Sequence, residues 1–311
     1  RFAFSIGSGL LAAFFHPIIV NAIKPTGGEQ MGYAVSAAIW AVVATIPFFF
    51  AFWGTYERHR PDEEAPMPFR DALRATFSNR AFRYVTGIYL LSWLVVQTVS
   101  TLVIYYLTYW LRRSELVPFV LLGVQGSSLI FLFVWTAVSR RIGKKGVYYY
   151  GMVWWIVVSF LLFIVQPSWP PYVIIILGVL AGVGVATAYL VPWAMLPDVI
   201  ELDELKTGRR REGAFYGFFV LLQKLGLALG LFLVSQGLAI SGYITPPVGS
   251  TVPIVQPDSA LLAIRLMIGP IPALVLAAGI LLVHRFPITK QDHEATLAEL
   301  AQRRAQAELA P

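Results

Sequence analysis

The chain has 311 residues, 57% of them hydrophobic and 13% charged, with a mean hydropathy of +0.68. Soluble domains carry about 25% charged residues, so half that share, with the apolar residues gathered in long blocks, excludes an ordinary water-soluble globule and places the chain in a bilayer. Cysteine is absent, which removes disulfides, thiolate metal sites and cysteine nucleophiles.

In chain order, the segments long enough to cross about 30 Å of hydrocarbon as helices are eight: 2–20, 33–53, 85–111, 116–138, 147–165, 172–196, 214–240 and 260–283. They lack the alternation of strands and are too long for tilted barrel strands. Pro17, Pro47, Pro192, Pro270 and Pro272 lie in or near these spans. Such breaks are tolerated where neighbouring helices satisfy the freed carbonyls. The first span opens at residue 2 with no signal peptide before it, so the expectation is a piece of a longer protein. The stretch 56–82 is the longest polar one between spans and is rich in proline and charge. The expected organisation is two helices in 1–54, a cytoplasmic linker at 55–81, a six-helix bundle over 82–285 and a tail at 286–311. The tail reads as a short charged helix or a disordered, solvated terminus.

Lysine and arginine placement sets the orientation. Arg1, the loops after spans 2, 4 and 6 and the tail hold 19 of the 24 basic residues. The opposite side holds only Lys24, Arg112, Arg113 and Arg265. That bias puts the basic loops and the C-terminus in the cytoplasm. The net charge of +7 is therefore a topology signal, and no nucleic-acid partner is expected.

Lys224 stands alone in the apolar run "FFVLLQKLGLALGLFLVSQG". It lies eleven residues beyond Gly213, which at 1.5 Å per residue is about 16 Å deep. A lysine near the bilayer centre costs roughly 2.5–3.5 kcal/mol on insertion scales. At 100° per residue Gly213, Gly217, Lys224, Ala228 and Ser235 share a face. Three readings stand: a structural lysine paired with a carboxylate, a deep snorkelling lysine, and a cation-coupling or substrate-site lysine.

The loop "MLPDVIELDELKTGRRREG" sets Asp198, Glu201, Asp203, Glu204 and Glu212 against Lys206, Arg209, Arg210 and Arg211. It reads either as a solvated loop with weak ion pairs or as a cytoplasmic gate. The turn "SRRIGKKG", with Arg140 and Arg141, joins that gate or serves only as topological charge. In span 3, Trp93, Gln97, Ser100, Thr101 and Thr108 fall on one side, as do Gln125, Ser128 and Thr136 in span 4. They form helix–helix hydrogen bonds or line a polar path. Tyr189 and Trp193 stack on a sugar ring or fill core. The four histidines form no metal pair, and no nucleophile elbow, P-loop or dinucleotide fingerprint is present, so an enzyme is not expected.

These residues resemble one family, the glycoside–pentoside–hexuronide:cation symporters, which include the melibiose permeases and have the sodium-dependent lysophospholipid symporters as relatives. The stretch "MLPDVIELDELKTGRRREGAFYGFFVLLQKLGLALG" is similar to the family's acidic loop and eleventh helix. "FRYVTGIYLLSWLVVQTVSTLVIYYLTYWL" resembles helix 7, "SRRIGKKG" the loop after helix 8, and "RFAFSIGSGLLAAFFHPIIV" helix 5. The resemblance implies an all-α polytopic membrane protein of the major facilitator fold, with about eight transmembrane helices equivalent to helices 5–12 of twelve. It implies a monomeric symporter in the cell membrane, taking a sugar, glycoside or similar solute with Na+ or H+ and no cofactor. A lysophospholipid or other lipid transporter of the same fold is the alternative. Lys224 matches the helix-11 lysine near the cation and sugar sites, Arg1 the arginine at the start of helix 5, and Tyr189 a helix-10 tryptophan. Gln97, Thr101 and Gln125 join them as candidate solute contacts. Asp198, Glu201, Asp203, Arg140, Arg141 and Arg210 form the candidate cytoplasmic gate. Phe219 and Val220 depart from the polar positions of the melibiose permeases, and the cation-binding carboxylates belong to helices 2 and 4, outside this sequence.

Overall fold

A computed structural model of the chain describes residues 2–55, 68–247 and 254–309, and among them there is no strand. Two compact units form, Arg1–Pro68 and Phe69–Pro311. The first is α1, Phe2–Gly54, broken at Gly28 with φ 78° and ψ 172°. Only glycine reaches that backbone region without strain. The two stretches either side, Gly7–Pro25 and Gln30–Gly54, are each long and apolar enough to span a membrane. His16 Nδ1 lies 2.6 Å from the Ser36 hydroxyl across the break. At Gly32 the backbone meets Val20 so closely that a Cβ would lie 2.8 Å from its carbonyl oxygen.

The second unit begins with α2, Phe69–Ser78, and α3, Arg80–Tyr105, separated by Asn79 in an extended conformation. The Asn79 side chain caps α3 by accepting from the Phe82 amide at 3.2 Å, as expected of asparagine at an N-cap. After α3 a π-helical turn, Tyr106–Trp110, and a short 3-10 turn, Ser114–Leu116, lead into α4, Val117–Ile164. At 1.5 Å per residue α4 would be about 72 Å long, more than twice the hydrocarbon thickness. It does not run straight: Gly143 breaks it with φ 76° and ψ 168°. Ser128 and Trp135 before the break and Trp154 after it all bond carbonyls of residues 180–183. The two halves therefore run back along the same neighbour, and α4 makes two crossings, matching spans 4 and 5.

That neighbour is α5, Pro171–Thr207. Its centre, "GVLAGVGVATA", is nearly all buried, and the small side chains are the reason the α4 halves can approach it. A Cβ on Gly178 would lie 3.1 Å from Val120, and one on Gly184 would overlap Trp155. Without a hydrophobic drive between helices in lipid, such close contact is what holds them together. Gly208 ends α5 in the left-handed region, followed by α6, Glu212–Ile240, then α7, Asp258–Ile268, and α8, Pro270–Arg285, divided at Gly269. The last helix is α9, Lys290–Leu309. Two stacked cores result. One surrounds Phe82, Tyr89, Tyr148, Met195 and Phe219; the other surrounds Leu102, Tyr106, Leu162, Leu177 and Ile264.

Candidate functional site

Helix α6 is two-faced. Phe215, Phe219, Gly226, Gly230, Val234 and Leu238 are buried, at the three- to four-residue spacing of one helical face. At Gly226 and Gly230 α3 comes close: a Cβ would lie 3.2 Å from Leu90 at the first and 3.2 Å from Gln97 at the second. The opposite face carries Gly213, Gly217, Lys224, Ala228 and Ser235, all exposed. The small-residue face expected from the sequence is thus real, and Lys224 stands on it with no hydrogen bond or ion pair among the described residues.

The polar row on α3 is half-buried. Thr101 donates to the Gln97 carbonyl at 2.8 Å, so its hydroxyl is satisfied within its own helix. Gln97 and, on α4, Gln125 are partly exposed. The Trp93 ring lies 5.6 Å from Tyr189, and the Trp93 indole nitrogen is buried without a hydrogen-bond partner. This pair brings α3 and α5 together. Phe219 is different: it stacks on Tyr89 at 4.2 Å and 11° and is fully buried. It is core, not lining. Arg1 lies outside the described residues.

At the other end of α5 the charges are paired. Asp203, almost fully buried, takes Arg211 in a two-pronged contact, with Nε 3.0 Å from Oδ2 and Nη2 2.8 Å from Oδ1, and Asn79 Nδ2 lies 3.3 Å away. One carboxylate thereby ties the end of α5, the start of α6 and the corner before α3. Asp198 takes Lys144 Nζ at 2.6 Å, and the same ammonium donates to the Ala194 carbonyl at 2.8 Å. His293 Nε2 lies 2.7 Å from Glu201 Oε2 and 3.2 Å from Asp198 Oδ1. Arg210 pairs at the surface with Glu212 and Glu204, and the Glu212 hydrogen bond raises the guanidinium above its ordinary range. The Arg140 and Arg141 side chains are exposed, and the Arg140 carbonyl accepts from Lys290 at 2.9 Å.

Asp198, Glu201 and His293 bring three ligand-type atoms within 4.8 Å of one another. The Lys144 ammonium already supplies a cation to Asp198, so the group is an ion-pair cluster, not a vacant cradle. His293 was not among the expected site residues. No local signal could have found it, because it stands 92 residues from Glu201 on a tail expected to be a short charged helix or a disordered, solvated terminus. The tail is helical and docked: His293, Thr296, Leu300 and Arg303 share the face toward α5, with Thr296 and Leu300 buried and Arg303 donating to the Leu205 carbonyl at 2.8 Å.

A cavity of about 440 Å³ opens beside this cluster, walled by the Gly143 elbow and the start of α9. A second, of about 350 Å³, lies among apolar residues of α3, α6, α7 and α8. Neither includes Lys224, Gln97, Gln125 or Tyr189.

Comparison with known proteins gives one family. The family described as MFS/sugar transport protein matches residues 1–290. An uncharacterized symporter of Synechocystis is 47% identical over 228 residues, 73% of this chain and 42% of that protein. The sodium-dependent lysophosphatidylcholine symporter 1-A of Danio rerio is 26% identical over 86% of this chain and 49% of its own length. A candidate sulfoquinovose importer of Salmonella typhimurium is 28% identical over 90% of this chain and 58% of its own length. The chain spans about half the length of the curated relatives it matches.

Proposed function

The chain belongs to the family of MFS/sugar transport proteins, and on that footing we propose that the full-length protein is a cation-coupled symporter of a sugar, glycoside or similar organic solute, working by alternating access with Na+ or H+. It is a multi-pass membrane protein of the all-α major facilitator fold, in a family of symporters and not of enzymes. The observation that carries the proposal is Lys224: a cation on the small-residue face of an apolar helix, with no ion pair or hydrogen bond among the described residues. A charge in that position is expensive to keep, and its retention there is accounted for by a partner that changes during transport, a carboxylate or the solute. Trp93 and Tyr189 offer aromatic faces nearby in the bundle, with Gln97 and Gln125 as hydrogen-bonding groups, which suits a hydroxylated ring. The burial of Phe219 removes one reason to expect a lipid path. The gate residues act, in this reading, from the cytoplasmic end of α5.

A second reading has its own support. Leu221 and Leu225 flank Lys224 and are about half exposed, at 48% and 57%. A cation between apolar surfaces also suits an amphiphile such as a lysophospholipid. Counterflow in proteoliposomes containing the full-length protein, with labelled sugars in one arm and labelled lysolipids in the other, separates the two. Lys224→Ala should abolish cation-driven uptake while the protein still folds and inserts. Normal cation-driven uptake by that variant refutes the coupling role.

A further inference from the structure

The short helix α2 is the most sharply two-sided element of the second unit, and the transport site makes no use of it. With 100° between residues, Phe69, Leu73 and Phe77 form one stripe, Ala72 and Thr76 lie along one edge of it, and Arg70 and Arg74 lie along the other. The Ala72–Thr76 edge is seated on the bundle, with Thr76 1% exposed. Phe77 packs edge-on against Phe82 and Phe218, at 5.5 and 5.9 Å between ring centres. Phe69 also touches Phe218, at 5.6 Å, yet remains 70% exposed, and Leu73 is 38% exposed. The apolar stripe is therefore half used. The Ala72–Thr76 edge and Phe77 are fixed to the protein, while Phe69 and Leu73 between them stay open, Leu73 lining with Arg70, Arg74 and Phe77 a cavity of about 710 Å³.

The charges on the far edge of the stripe, past Phe77, have one sign. Arg70 and Arg74 are exposed and make no side-chain hydrogen bond or ion pair among the described residues, and Asp71 is the only acid on the helix. Arg80 and Arg83 continue the basic run into the first turn of α3, where Arg80 lies 5.7 Å over the Tyr84 ring. Membrane-spanning residues begin there, since Arg80–Trp110 is a candidate span. The Asn79 corner, held to Asp203, keeps α2 at the mouth of that span. An amphipathic helix at a membrane boundary, with large apolar side chains on one flank and arginines next to them, has the chemistry of an interfacial helix on an anionic leaflet.

We propose that α2 is a membrane-surface element: Phe69 and Leu73 enter the leaflet on the side of the basic loops, and Arg70 and Arg74 bind the phosphates of anionic phospholipid headgroups. A basic residue near an anionic surface shifts the equilibrium about fivefold, so losing both arginines corresponds to roughly thirtyfold. The docked helix fixes the start of α3 relative to the bilayer, independently of which solute is carried.

The test uses the full-length protein in nanodiscs of pure phosphatidylcholine or of phosphatidylcholine with phosphatidylglycerol. Because both leaflets of such discs have the same composition, the result does not depend on the assigned orientation, and because no transport is measured, it does not depend on the solute. Amide exchange over 70–78 should be slower in the anionic discs. The double variant Arg70→Gln with Arg74→Gln should lose that protection by about tenfold to thirtyfold while exchange in α3 and α6 is unchanged. A fluorophore at Leu73→Cys should be quenched by brominated lipid and shielded from an aqueous quencher, with the opposite result at Ser78→Cys on the polar face. Equal exchange of variant and parent in anionic discs overturns the proposal. So does aqueous quenching at position 73, or protection there from both quenchers, which means that protein covers the edge.

Discussion

Replacing Asp203 tests whether the C-terminal end of α5 is held by one buried carboxylate or by diffuse surface charge. The Asp203 side chain is 7% exposed and Arg211 18%, with both guanidinium prongs at hydrogen-bonding distance and Asn79 as a third donor. Breaking a fully buried pair by removing one partner costs about 3–5 kcal/mol. Arg211 retains some access to water, which brings the expectation for Asp203→Asn down to about 2–3 kcal/mol. In the double variant Asp203→Asn with Arg211→Gln no charge is stranded. Its cost should fall short of the sum of the single costs by about 1–2 kcal/mol, a coupling typical of residues in direct contact. Arg210 is the internal control. Its ion pair with Glu212 is about half exposed on both sides, so Arg210→Gln should change stability by less than about 1 kcal/mol.

The assay is thermal unfolding of the full-length protein in mild detergent, at low salt and at 1 M NaCl. Salt should erase whatever Arg210 contributes and leave most of the Asp203 coupling, since buried pairs are screened little. A coupling below about 0.3–0.5 kcal/mol, the range in which independent sites are additive, would refute the reasoning, as would a coupling that disappears in salt.

Gly143→Val forces a side chain into the glycine-only region at the α4 elbow and should cost about 1–3 kcal/mol, measured by the same unfolding assay; no change would mean that the elbow bends elsewhere. Arg265 lies 4.2 Å over the Trp110 ring and 4.8 Å from Phe163, and donates to the Phe163 carbonyl at 2.9 Å. Arg265→Met keeps the volume but loses the cation–π and charged hydrogen bonds, for about 2 kcal/mol and faster amide exchange in α7. Asp292 accepts from the Thr289 hydroxyl and amide, which hold its carboxyl below the usual carboxylate range. A depressed value contributes stability above the unfolded pKa and loses it as pH falls through the folded one. Exchange over 290–294, corrected for intrinsic rates, should be flat from pH 5 to 8 and rise only below about pH 4; a rise near neutrality would contradict the cap.

The spans and the faces of α6 were legible because both follow from local pattern. Apolar length gives the crossings, and helical angle alone placed Gly213, Gly217, Lys224, Ala228 and Ser235 together. Pairing was not legible. Arg210 and Arg211 are adjacent and chemically identical in the sequence, but one is at the surface and the other closes on a buried carboxylate. That difference is set by where the left-handed Gly208 cap aims the chain, and no charge pattern encodes it. His293 was invisible for a related reason. Its tail is polar in composition, yet a helix needs only one face to dock, and residues 293, 296, 300 and 303 supply that face at helical spacing. The same logic separates Lys224 from the charges around the ends of α4, α5 and α9. Lys144, Arg211 and Lys290 each have an acceptor among the described residues, a carboxylate for the first two and a carbonyl for the third, so their positions are explained by the structure in hand. Lys224 has none, and an uncompensated ammonium on an apolar helix is stable only if its compensation comes from outside the helix that bears it. In the proposed reading that compensation is a carboxylate or an arriving solute, either of which would have direct leverage on Lys224.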